Sequence, residues 1–102
     1  MANETRYLTS WDFAITGNLN DLIASFPFEL RERDSHLHCY FVLNSGSIGI
    51  QLDGDATDRA VIAANGPTDI DISNDVTGYR TLNIYARSTP TSLAFGEITA
   101  MR

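Results

Sequence analysis

Hydrophobic and polar positions alternate at period two along most of the chain, and no stretch sustains a convincing helical repeat. His36 to Leu43 is the most strand-like run: Leu37, Cys39, Phe41 and Leu43 share one face, and His36, His38, Tyr40 and Val42 the other. Asn44-Ser45-Gly46 has turn chemistry, and Ile48, Ile50 and Leu52 resume the alternation, so 36–52 reads as a central β-hairpin. Upstream, Thr5 to Thr9 and Trp11 to Thr16 read as short strands, the second with Trp11, Phe13 and Ile15 on one face. Asn20 to Phe26 reads as one helical turn capped by Asn20 and ended by Pro27, with a strand starting at Phe28. Downstream, strands are expected over 59–64, 68–73 and 79–87, the last with Leu82, Ile84 and Ala86 on one face. In 92–100 the apolar phase slips near Gly96, where a β-bulge would restore register.

Seven or eight strands with turn signals every eight to twelve residues predict an all-β fold, an antiparallel sandwich or jelly-roll-like small barrel. The 102 residues suffice for a single all-β domain over 1–102 with one core. That core should bury Leu37, Phe41, Ile50, Leu82 and Ile84, and take in Trp11, Phe13 and Phe95.

Composition narrows the function classes. The net charge is −6, from 13 acidic and 7 basic residues, and every basic residue is Arg. An acidic surface repels phosphate, so neither nucleic acid nor an anionic membrane is expected as a partner. The absence of Lys excludes Schiff-base chemistry. The single cysteine, Cys39, falls on an apolar strand face and reads as a buried thiol without a disulfide. The polar Met1–Arg6 start lacks the apolar core of a secretion signal, and no apolar run reaches the length of a membrane span, which points to synthesis in the cytoplasm.

Candidate chemistry is sparse. His36 and His38 lie two apart on one strand and point the same way, as two ligands of one metal would. The pair resembles the first metal motif of the cupin family, a β-barrel class of suitable size. That family places a Glu about four residues after the second His, and a third His later. Here the first region is Val42-Leu43-Asn44 and the second His is the last. Asp53, Asp55 and Asp58 form an acidic turn that could gather around Ca²⁺, but without the Gly and closing Glu of the twelve-residue helical-hand loop. Asp69 and Asp71 share the solvent face of their strand and read as a guard against edge pairing rather than as a glycosidase pair. No nucleophile elbow or phosphate-binding glycine loop is present. The chain therefore reads as a non-enzyme, with neither cofactor nor resident metal expected.

The segment Tyr79-Arg80-Thr81-Leu82-Asn83-Ile84-Tyr85-Ala86-Arg87-Ser88, the Thr/Ser/Pro connection after it, and Leu93-Ala94-Phe95-Gly96-Glu97-Ile98 resemble the small all-β structural proteins of tailed-bacteriophage virions, such as capsid decoration or cement proteins. The likeness covers about the C-terminal half and is one of texture. It implies a homo-oligomer, commonly a trimer, bound to the major capsid or tail protein of a virion assembled in the host cytoplasm. Trp11, Tyr40, Tyr79, Tyr85 and Arg87 are the interface candidates, being residue types enriched where proteins meet. The alternatives are a carbohydrate-binding β-sandwich module using Trp11 or the tyrosines as a platform, and a cupin-like metal-dependent enzyme at His36 and His38.

Overall fold

A computed structural model describes residues 5–73 and 77–101. Among the described residues are nine strands: β1 (Thr5–Trp11), β2 (Ile15–Gly17), β3 (Leu22–Leu30), β4 (His36–Ser45), β5 (Ser47–Leu52), β6 (Ala60–Ala63), β7 (Asp69–Ser73), β8 (Gly78–Ala86) and β9 (Thr91–Met101). They form two antiparallel sheets. Sheet I has the order β1-β9-β4-β7, with β2 also paired to β9; sheet II has the order β3-β8-β5-β6. The pairings nest: β1 with β9, β3 with β8, β4 with β7 and β5 with β6. A long antiparallel ribbon is thereby rolled over itself, and the pairs β4–β9 and β5–β8 close the two sheets. This is jelly-roll topology.

The core lies between the sheets. Leu37, Cys39, Phe41 and Leu43 of β4 face Ile48, Ile50 and Leu52 of β5 and Leu82 and Ile84 of β8 across it. Phe41, Ile50, Leu82 and Ile84 have no exposed surface, as alternation predicts. Trp11 is 6% exposed; its ring stacks on Phe26 with centroids 4.4 Å apart and leans on Phe41 at 6.1 Å. Gly96 makes room for it, since a Cβ there would stand 1.9 Å from Trp11 Cη2.

Four expectations are corrected. Segment 36–52 is a corner, not a hairpin. β4 lies in sheet I and β5 in sheet II, so their apolar faces meet across the core rather than side by side. Gly46 makes the corner at φ +80°, and a Cβ there would come within 2.7 Å of the Pro90 carbonyl and 2.6 Å of both Ser88 Oγ and Thr91 Oγ1. The supposed helical turn at 20–26 is instead part of β3. Ala24, Phe26, Phe28 and Leu30 face inward, and Pro27 is accommodated because β3 is an edge strand with no ladder bond to donate on its open side. Strand β1 ends at Trp11, which leaves Phe13 in the following loop, 60% exposed and outside the core. Phe95 is half-buried on the outer face of sheet I, edge-on to Tyr40, because the bulge falls at Ala94 rather than Gly96: Val42 pairs with Phe95 but Leu43 with Leu93.

These packing relations set two stability outcomes. Phe41→Ala should cost about 3–5 kcal/mol. Gly54 has φ +86° with nothing near its missing Cβ, so Gly54→Ala should cost only the backbone strain, about 1–2 kcal/mol. Gly46→Ala adds a clash with backbone and should cost clearly more. Chemical denaturation of the three variants checks both points, and equal costs for the two glycines would refute the corner.

Candidate functional site

The outer face of sheet I carries both histidines. Strand parity turns His36, His38 and Tyr40 outward, and the β4–β7 register sets His38 opposite Asp71 and Tyr40 opposite Asp69. His38 Nδ1 lies 2.8 Å from Asp71 Oδ1, which requires that nitrogen to carry the hydrogen and donate. Its Nε2 is 3.8 Å from Asp69 Oδ2, and His36 Nε2 is 3.7 Å from Asp71 Oδ1. Both histidines thus reach the same carboxylate oxygen, Asp71 Oδ1, and among the described residues no three His, Cys, Asp or Glu side chains gather as they would around a metal ion. On the inner side of the same strand, burial, with the Asp71 charge as a second cause, pushes the Cys39 thiol up to about 12. It stays protonated at neutral pH and is no nucleophile. Apolar side chains line the space between the sheets.

The acidic turn is organised by arginines. Asp53 Oδ1 accepts from Arg80 Nε at 2.6 Å, Asp55 takes Arg59 through two bonds of 2.6 and 3.1 Å, and Asp58 takes Arg87 through two bonds of 2.8 and 2.7 Å. Each carboxylate of the proposed cation loop thus already holds a guanidinium. Arg80 follows the inward parity of Leu82 and Ile84 and is nearly buried. Its Nη2 also donates to the Asp53 carbonyl, while Nη1 finds no partner among the described residues. Gly49 is the device that seats the Asp58–Arg87 pair: a Cβ there would lie 2.1 Å from Asp58 Oδ2 and 2.7 Å from Arg87 Nε. Gln51 Nε2 donates to Asp58 Oδ1, and Arg87 Nη1 to Asn20 Oδ1. The loop is therefore fastened to β5, to β8 and to the segment that follows β8.

The five interface candidates fare differently. Trp11 is buried between Phe26 and Phe41 and offers no free ring face. Arg87 is committed to Asp58 and lies 4.9 Å from the centroid of the Tyr85 ring, so Tyr85 is half-covered on the outer face of sheet II. Tyr79 is 85% exposed, on the same outer face. Tyr40 is 38% exposed on the outer face of sheet I. The five span two opposite faces and the core, and form no single patch. Sequence reasoning overlooked the row Ser25–Asn83–Gln51 across sheet II, because small polar residues on a solvent face carry no signal until the register sets them side by side.

The ion pairs fix a pH dependence. Hydrogen bonds from Arg59 and from Arg87 hold the Asp55 and Asp58 carboxyls below the ordinary value of 3.8. A carboxylate depressed in the folded state contributes stability that is fully present above 3.8 and is lost as pH falls through the lower folded value. Asp58→Asn should therefore lower stability at neutral pH and flatten the loss of stability below pH 3.8. Denaturation midpoints of the two proteins across that range check this, and parallel curves would contradict it.

Among the described residues no helix is long and apolar enough to cross a membrane. Comparison with protein-family models, with curated proteins and with solved structures gives no match.

Proposed function

We propose that this chain is a non-enzymatic structural component of a tailed-phage virion, a decoration or cement protein that binds the capsid or tail lattice as a homo-oligomer. Jelly rolls serve viral capsid proteins, lectins and cupins alike, so the choice among these rests on the surface and not on the fold. The observation that carries the reading is the pairing of the reactive side chains with one another. Asp53, Asp55 and Asp58 hold arginines, and Asp71 accepts from His38, while large side chains such as Tyr7, Val61 and Tyr79 stand exposed on the strands. Such a surface suits repeated weak contacts, with avidity supplied by valency.

The sugar-module alternative loses its best platforms, since Trp11 has no free face and Arg87 lies over Tyr85. The cupin-like alternative needs three or more donors around one point, and among the described residues no such group is found; the two histidines share Asp71 as an ion-pair partner. The purified protein should co-sediment with shells of its parent virus and carry no stoichiometric transition metal. Failure to bind shells, combined with capture by a glycan array, would transfer the function to the sugar module; one metal per chain lost on replacing His36 and His38 would transfer it to the enzyme.

A further inference from the structure

All the sheet edges carry a block to further strand pairing. Strand β1 is interrupted by a bulge between Tyr7 and Thr9, and β2, beside it, has three residues. Strand β3 contains Pro27, β6 has four residues, and β7 presents Asp69 and Asp71. A second copy cannot readily extend either sheet, so self-association must use a face.

The two outer faces differ in charge. That of sheet I carries Asp69, Asp71 and Glu97 with two histidines and, among the described residues, no arginine. Two copies of a chain of net charge −6 would set these carboxylates against each other. The outer face of sheet II is nearer to balance: Asp58 is joined to Arg87, and Glu29, on the edge strand, adds one negative charge. Leu22 and Val61 are exposed at its two margins, and its centre is the row Ser25–Asn83–Gln51.

That centre is self-complementary. Ser25 Oγ donates to Asn83 Oδ1, which leaves the Asn83 amide hydrogens as donors. Gln51 Nε2 donates to Asp58, which leaves Gln51 Oε1 as an acceptor. Neither group meets a partner among the described residues, and the two lie side by side at the β8–β5 junction. A twofold axis through this point brings the donor of each copy to the acceptor of the other.

We infer that the outer face of sheet II is a self-docking surface for a second copy of this chain, with Asn83 of each copy donating to Gln51 of the other. The inference deepens the homo-oligomer part of the function proposed above and rests on it. Four strands about 4.8 Å apart and six residues at ~3.3 Å each cover several hundred Å² per copy. That is the weak end of specific interfaces, so association depends on concentration and on lattice valency.

Sedimentation velocity from micromolar to millimolar protein tests it. The wild type should associate as concentration rises. Asn83→Asp keeps the Ser25 bond but replaces the donor by a charge, and Gln51→Lys replaces the acceptor by a cation. Each should weaken self-association at least about tenfold, with circular dichroism confirming the fold. An equimolar mixture of the two variants should recover association, because the new anion of one meets the new cation of the other. Tyr40→Ala, on the opposite face, should change nothing. A wild type that stays monomeric, variants that associate as the wild type does, or a mixture that fails to recover would each overturn the inference. Co-sedimentation with viral shells is scored separately. A monomeric wild type that still binds shells sinks this inference alone, and a self-associating wild type that ignores shells sinks only the lattice function.

Discussion

The roll turns on one corner where two crossings between the sheets share the same hydrogen bonds. The chain passes from β4 to β5 at Gly46 and from β8 to β9 at 87–90, and these two passages lie against each other. Arg87 N donates to the Ser47 carbonyl at 2.8 Å, Ser47 N donates to Ser88 Oγ at 3.0 Å, and the buried Thr91 hydroxyl donates to the Ser47 carbonyl at 3.1 Å. Each crossing satisfies backbone groups that the other would leave bare on leaving its ladder. Without that exchange, β4 and β5 would have to find their hydrogen bonds in the same sheet, as an ordinary hairpin does. With it, β4 is free to take β9 and β7, and β5 to take β8 and β6.

A nested roll also makes its first strand depend on its last. Thr5 pairs with Met101 and Trp11 with Gly96, so sheet I is complete only when both are in place. Such long-range pairing carries loop-closure entropy that local contacts do not repay, which makes folding slow relative to helical domains. The Trp11–Gly96 contact is where this closure is consolidated. The indole covers the one position of β9 that lacks a side chain, and Phe26 and Phe41 hold its ring from sheet II and sheet I respectively. Its Nε1 is left without a partner among the described residues, a cost accepted for the apolar contact of the whole ring.

How much of this could be read from the sequence depends on whether a feature is local. Parity within a strand is local, and it correctly turned Leu37, Phe41, Leu82 and Ile84 inward and His36, His38, Asp69 and Asp71 outward. Parity also held the answer at 24–30, where Ala, Phe, Phe and Leu alternate with Ser, Pro and Glu; a proline treated as a helix stop concealed an edge strand that tolerates it. Which strand pairs with which is not local. Asn44-Ser45-Gly46 has the chemistry of a hairpin turn, and only the distant Ser88–Thr91 segment makes it a corner. The acidic turn shows the same limit. Asp53 and Asp58 find their arginines at positions 80 and 87, across the fold, so a cluster that looked ready for a cation is an ion-paired clasp.

The division of polar chemistry between the sheets follows from the same clasp. Arg87 and Arg80 both follow or belong to β8 and both bend to the 53–58 loop, which concentrates the positive charge of the central region on sheet II and neutralises its acids. Among the described residues the β7 acids pair with histidines and not with arginines, so sheet I keeps its negative charge. Opposite faces of one small roll thereby acquire different rules of contact. A face with little net charge tolerates an identical surface, because amides both donate and accept and need no partner of opposite sign. An acidic face rejects its own copy and favours a basic one. The register of β4 with β7 and of β5 with β8 thus sets two faces of unlike charge on a scaffold of 102 residues.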